Sequence, residues 1–266
     1  MATTLDPEQI AQVAARHEGA RTTRRLIKRI TLEHPEMTLD DAYACQKAWT
    51  DLQVANGAIV RGHKIGLTSR AMKIDEPDFG VLFDYMFVES GTTLVAADYL
   101  DPKIEVELAF VLGRPLGGPD VTIDDVHAAT DHIVPALELI DARSHRVDPD
   151  DRVARGVRDT IADNAADAGV ITGGRRVRPG EVDLRWVAAI LKRNGVVEET
   201  GVAAGVLDDP AMGIVWLARR LAGHGITLEE GETILAGSFT RPVDCRAGDH
   251  FEVDYDDLGV LTVDFV

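Results

Sequence analysis

The chain has 266 residues, 45% of them hydrophobic, and its 28 basic and 45 acidic side chains leave a formal charge of −17. Length and apolar content suffice for one large domain with its own core. The negative balance excludes a nucleic-acid binder and disfavours an anionic membrane surface, since both call for basic patches. Cys45 and Cys245 are too few for a disulfide framework or a thiolate metal site. The first dozen residues lack the basic and apolar regions of a signal peptide, and no apolar stretch reaches the length of a membrane span. The expected setting is a reducing cytoplasm, without nucleic-acid or membrane partners.

Taken in chain order, Asp6-Pro7-Glu8-Gln9 is a helix start, with Asp as cap, Pro at the first helical position and Gln in the capping-box place. Ile10, Val13 and Ala14 follow at helical spacing. The basic run from Arg21 to Arg29 reads as a solvated helix face. Thr38, with Asp41 three residues on, opens a second helix whose stripe is Ala42, Cys45, Trp49 and Leu52 and whose stop is Gly57. From Ala58 the pattern changes to short strands and turns. This sets a boundary at residue 57 between a helical N-terminal segment (1–57) and a β-rich body (58–266), expected to form one structural unit. In the body, Ile104 to Phe110 alternates apolar and acidic residues, and Ile133 to Ile140 is apolar with one acid inside. Asn194-Gly195 between Ala189–Lys192 and Val196–Thr200 is a hairpin signal. Asp209-Pro210 starts a late helix with Ile214, Leu217, Ala218 and Leu221 on one face. Thr233–Gly237, Phe251–Tyr255 and Leu261–Val266 read as closing strands. The class is α+β.

The chemistry-bearing pattern is Lys103-Ile104-Glu105-Val106-Glu107-Leu108. In a strand, Glu105 and Glu107 share a face, roughly 6–7 Å apart. A lone Glu-x-Glu is usually a solvated face. Here, however, the strand runs on into Ala109-Phe110-Val111-Leu112, and a second acid, Glu138, lies inside another apolar strand. Buried carboxylates must be protonated, paired or bound to a cation, and an all-oxygen set selects a hard divalent ion over zinc. Gly62-His63-Lys64-Ile65-Gly66 places a cation between close-packing glycines, either an exposed turn lysine or one that meets an anion or moves a proton. Ile74 to Gly80 reads as a loop, with Asp78 an acid/base candidate or merely solvated. Thr160 to Ala166 suits either a backbone-hugging site or a helix cap. Asp141 and Arg143 suggest a structural salt bridge. In Gly237-Ser238-Phe239-Thr240-Arg241, hydroxyls and a guanidinium follow a strand, where they can hold a carboxylate or form an ordinary turn.

Taken together, GHKIGLTSRAM, IDEPDFGVLFDYMF, PKIEVELAFVL, VPALELIDAR, DTIADNAADAGV, DLRW, RNGVVEETGVAAGVL and LAGSFTRPV resemble the hydratase/decarboxylase group of meta-cleavage pathways, within the fumarylacetoacetate-hydrolase-like superfamily. The resemblance covers essentially the whole chain. It implies a mixed β-roll with a helical N-terminal segment and peripheral helices, assembled into homo-oligomers of five or ten subunits. It makes Glu105, Glu107 and Glu138 ligands of Mg²⁺ (or Mn²⁺), Lys64 the active-site lysine and Asp78 an acid that transfers protons. His63, Leu67, Asn164, Ser238 and Arg241 are expected to line the substrate. That substrate is a small dianionic 2-oxo-enoate, hydrated at C4, with the seven-carbon dioate favoured by GSFTRPV and the His of GHKIGLTS. Hydration of a five-carbon dienoate, oxalocrotonate-type decarboxylation and acylpyruvate hydrolysis are the alternatives within enzymes; a non-catalytic acidic scaffold is the alternative outside them. One departure from the family pattern is the short Lys73-Ile74 segment before Asp75, which bears on the position of Asp78 and on any lid.

Overall fold

Side-chain caps set the helix starts in the computed structural model, which describes residues 3–68 and 77–266. In α1 (Pro7–Thr23), Asp6 accepts the Gln9 N–H and the Gln9 side chain accepts the Asp6 N–H, each at 2.9 Å. The helix stops earlier than the basic run suggests: Arg24 turns left-handed (φ 55°), so the run is not one helix face. Lys28 and Arg29 lie beyond the helix and pair with Asp150 and Asp151. A short α2 (Ile30–Glu33) follows, then α3 (Leu39–Ala55), opened by the reciprocal Thr38–Asp41 cap. Ala42, Cys45 and Trp49 of its stripe are buried. The apolar side chains of these helices do not form a separate core. Leu5, Val13, Ile30, Met37, Ala42 and Cys45 share one cluster with Ile161 and Ala162.

The remaining elements are β1 (Val60–Gly66), β2 (Asp78–Phe83), β3 (Phe87–Glu89), β4 (Thr92–Leu94), β5 (Lys103–Leu112), α4 (Ile123–Ala129), β6 (Thr130–Ile140), α5 (Val157–Ala162), β7 (Asp167–Thr172), β8 (Ala188–Arg193), β9 (Val196–Val202), α6 (Pro210–Ala222), β10 (Thr233–Leu235), β11 (Val243–Asp244), β12 (His250–Asp254) and β13 (Val260–Phe265). One eight-stranded sheet runs β2-β1-β10-β5-β6-β7-β3, with β11 also paired to β5; a five-stranded sheet runs β4-β13-β12-β8-β9. The class is thus α+β, with mixed strand directions in both sheets. Asn194 (φ 54°) and Gly195 (φ 80°) make the β8–β9 hairpin turn. Asp78 does not sit in a loop as expected but opens β2, a strand buried along its whole length. Residues 69–76, with the short Lys73-Ile74 segment and the acids of the EPD loop before Pro77, lie outside the described residues.

The long β5–β6 ladder positions the site. Strand alternation sends Ile104, Val106, Leu108 and Phe110 into the main core, with Leu137 and Leu139 of β6. The opposite face carries Glu105, Glu107 and Ala109. Across the antiparallel register, Glu105 meets Glu138, Glu107 meets Ala136 and Ala109 meets Val134. Ala109, Val134 and Ala136 then pack with Leu235, Val170, Val81, Phe83 and Trp49. This apolar layer borders the carboxylates along the strands and limits water on that side.

Candidate metal and acid/base site

Glu105, Glu107 and Glu138 each offer an oxygen, and these oxygens lie within 4.8 Å of one another. Glu107 and Glu138 are fully buried, and Glu105 is half-buried on the open side. The Gly237 N–H donates to Glu107 Oε2 at 2.9 Å. Glu107 Oε1 and Glu138 Oε2 have no hydrogen-bond partner among the described residues, and Glu138 Oε1 is met by the Lys64 ammonium in an ion pair. Buried anionic oxygens without partners cost several kcal/mol unless something of opposite charge meets them. Mg²⁺ holds oxygens at about 2.0–2.1 Å and Ca²⁺ at about 2.3–2.6 Å, so ligands on opposite sides stand roughly 4–5 Å apart. The spacing and the all-oxygen chemistry therefore fit a hard divalent cation.

Lys64 arrives from β1, across β10, and its Nζ stands 2.9 Å from Glu138 Oε1. Asp78 is paired with Gly66 at the start of β2. A Cβ on Gly66 would overlap Asp78 Oδ1 and lie 3.4 Å from Lys64 Nζ, so the absence of that carbon lets acid and ammonium share one small space. Burial alone would lower the pKa of Lys64, but Glu138, Asp78, Asp167 and Glu105 outweigh it and hold the ammonium above its usual range. Burial pushes Asp78 up to about 6, against the pull of Lys64. Burial, then the charge on Glu138, raises Glu105 and Glu107 above the ordinary carboxylate range.

The other residues expected at the substrate are placed differently. His63 is next to Lys64 in β1, so alternation turns it to the other face, where Nδ1 stands 3.6 Å from Glu232 Oε2 and the ring meets Phe79 edge-on. Arg241 points into solvent, its side chain 82% exposed, and pairs with Glu199 at 2.6 Å. Asn164 spends both amide atoms on the backbone of Val81. Ser238 Oγ lies 3.2 Å from Val106 O and 3.0 Å from Thr240 O, tying its loop to β5. Leu67 is half-buried with a left-handed backbone (φ 59°), at the turn where the chain leaves β1. Arg143 pairs with Asp163, at 3.2 Å, rather than with Asp141.

Comparison with known proteins agrees with this geometry. The sequence profile described as fumarylacetoacetate (FAA) hydrolase C-terminal matches residues 57–266. The chain belongs to the FAA hydrolase family. It is 54% identical to the 2-oxo-hept-4-ene-1,7-dioate hydratase of Escherichia coli over 96% of this chain and 97% of that one. It is 36% identical to the 2-hydroxyhexa-2,4-dienoate hydratase of Comamonas testosteroni over 94% of each. The 4-oxalocrotonate decarboxylase from Pseudomonas putida G7, complexed with magnesium and adipate, superposes with a TM-score of 0.93 at 34% identity, each chain covered in full.

In this FAA hydrolase family member two residues of the site escape a reading of the sequence. Gly237 has φ 114°, and a Cβ there would press on Thr68, so only glycine brings its N–H to Glu107 without strain. Asp167 is fully buried, neither of its carboxylate oxygens has a hydrogen-bond partner among the described residues, and burial, then the charge on Glu138, pushes its pKa upward. Only the Gly-Ser hydroxyl pattern hinted at the first, and the backbone-hugging composition of 160–166 stopped one residue short of the second.

Proposed function

We propose that this chain is a divalent-cation-dependent hydratase that adds water to a 2-oxo-enoate, converting 2-oxohept-4-ene-1,7-dioate to 4-hydroxy-2-oxoheptane-1,7-dioate. The observation that carries the reading is the convergence of Glu105, Glu107 and Glu138 on one point beside Lys64 and Asp78. The family and the hydratases among its relatives support the reaction class. A relative that binds magnesium and adipate, itself a dicarboxylate, supports Mg²⁺, with Mn²⁺ as the alternative, and a dianionic substrate.

In this reading Glu105, Glu107 and Glu138 hold Mg²⁺ and move no protons. Bound there, the cation supplies an electrophile that takes up charge building on the substrate's C2 oxygen. The alkene must first be brought into conjugation: a proton leaves C3 and one is added at C5, giving the 3-ene. Water then adds at C4 and the proton goes to C3, so the net change is one water gained. The reading assigns these protons to Asp78, which is supported by its free Oδ1, without a hydrogen-bond partner among the described residues. Lys64 stays an ammonium, steadies anionic oxygen and keeps Asp78 and Glu138 in register. Ser238 and Leu67 shape the wall beside β5 and the end of β1. The reading assigns no step to Arg241, whose side chain is exposed and paired with Glu199, or to His63, which turns to the other face of β1 beside Glu232.

Decarboxylation of an oxalocrotonate-type substrate is the second reading, favoured by the likeness to the decarboxylase from strain G7. One assay separates them. Protein with Mg²⁺ and the seven-carbon enoate gives a product heavier by one water if the hydratase reading holds, whereas loss of CO₂ overturns it. The same reading places the enzyme in the cytoplasm, in aromatic meta-cleavage catabolism through homoprotocatechuate, as a pentamer or decamer that light scattering checks. It also treats 1–57 and 58–266 as one unit, supported by the cluster that joins α3 to Ile161 and Ala162.

A further inference from the structure

The strand that carries Asp78 lies at the edge of its sheet yet is buried throughout. A buried sheet edge needs partners for its outward N–H and C=O groups. Side chains supply them here. Gln46 Nε2 donates to Phe79 O at 2.7 Å. Two residues on, the Val81 N–H donates to Asn164 Oδ1 at 2.8 Å and Asn164 Nδ2 donates to Val81 O at 2.9 Å. The amide of Asn164 thus takes the place of a neighbouring strand for one residue.

The backbone around it is costly and firmly held. Asn164, Ala165 and Ala166 are left-handed in succession, with φ of 50°, 52° and 60°, at about 1–2 kcal/mol each for a non-glycine residue. Arg143, only 3% exposed, clamps both ends of this turn. It reaches Asp163 O at 3.0 Å and Asp163 Oδ1 at 3.2 Å through Nη1, and Asp167 O at 2.6 Å through Nη2. The turn also confines Lys64. A Cβ on Gly80 would stand 2.7 Å from Asn164 O, 3.2 Å from Lys64 Cγ and 3.4 Å from Ala165 Cβ. Gly80 is the cross-strand partner of Lys64, so the turn, the strand and the lysine stem meet there.

We propose that Asn164 is a positioning residue: it clasps β2 through Val81 and walls the stem of Lys64, and so sets Asp78 and the ammonium in register for proton transfer. This rests on the reading that Lys64 and Asp78 serve the proton steps, and it replaces direct contact of Asn164 with substrate. Strain kept in a clamped turn is expected where geometry matters to function.

The test uses Asn164→Gly, which accepts the left-handed backbone and lacks the amide, and Asn164→Asp, which keeps only the acceptor. Both are combined with Asp78→Asn. Two rates are followed: hydration of the enoate, and exchange of the C3 hydrogens of saturated 2-oxoheptanedioate in D₂O by NMR, which needs proton transfer but no hydration. Asn164→Gly is expected to lower kcat and exchange about 10–100-fold, with KM and calorimetric Mg²⁺ affinity within about threefold, because the three glutamates lie on other strands. Asn164→Asp falls between. In the Asp78→Asn background, loss of the amide costs less than about threefold more, since both changes remove one unit. Full multiplication of the two losses, an unchanged rate in Asn164→Gly, or a loss confined to Mg²⁺ affinity overturns the proposal. Wild-type exchange without hydration overturns the hydratase reading instead, and the exchange cycle still decides the role of Asn164.

Discussion

Glu138 stands directly opposite Glu105 in the β5–β6 ladder, and Lys64 Nζ lies 2.9 Å from its Oε1. Two acids as cross-strand neighbours repel each other. With Glu107 two residues along the same face, and Asp78 and Asp167 acting on the same ammonium, carboxylates outnumber the cationic group at this point among the described residues. From that imbalance follow expectations about cation binding, pH and the roles of neighbouring groups.

Lys64 competes with a cation for Glu138. Lys64→Met should therefore bind Mg²⁺ at least about threefold more tightly while turnover falls by about 10²–10⁴-fold. Isothermal titration beside kinetics checks this, and weaker Mg²⁺ binding in the variant would show that the lysine supports the cation instead.

The pH dependence of the metal-free protein has a definite sign. Folding raises the pKa of Asp78 to about 6, chiefly by burial, and raises Glu105 and Glu107 further. Between their unfolded and folded values the folded chain binds more protons than the unfolded one, so stability falls as pH rises. Melting in EDTA should thus drop from pH 5 to 8, and saturating Mg²⁺ should flatten the curve at the upper end. A metal-free melting temperature that climbs over this range would contradict the arrangement.

Neutralising one buried acid should separate stability from binding. Glu107→Gln is expected to melt above the wild type in EDTA, because repulsion is relieved, and to lose at least about tenfold in Mg²⁺ affinity. Equal Mg²⁺ affinity would remove Glu107 from the ligand set.

The Gly237 N–H that holds Glu107 depends on a backbone that other residues adopt with strain. Gly237→Ala, with φ 114° and a Cβ pressed on Thr68, should cost about 1–3 kcal/mol in denaturant unfolding. It should also weaken Mg²⁺ binding, whereas Arg241→Ala, on the surface ion pair with Glu199, should leave kcat and KM within about twofold.

The buried pair of Arg143 and Asp163, with side chains 4% and 1% exposed, should act as a structural lock. Arg143→Met leaves Asp163 charged and unpaired, at a cost of about 3–5 kcal/mol by urea unfolding. The double change Arg143→Met with Asp163→Leu should recover a good part of that loss, and no recovery would mean that the hydrogen bonds to the left-handed turn dominate.

What the sequence determined by itself was local. The Asp6–Gln9 and Thr38–Asp41 caps, the Asn194-Gly195 turn, the α6 stripe and the shared face of Glu105 and Glu107 follow from rules that act over two to four residues. The family segments pointed to Glu138, Lys64 and Asp78. Tertiary structure alone decided that the β5–β6 register sets Glu138 against Glu105, and that β1 reaches them across β10 so that Lys64 and not His63 faces the acids. It also decided that Gly237 after β10, Asn164 in the turn before β7 and Asp167 at the start of β7 come to the site from segments distant in the chain. Strand alternation fixes which residues share a face. Register, long-range pairing and the direction of an amide come from packing between segments up to about 130 residues apart, as between Gly237 and Glu107, and no local pattern encodes them.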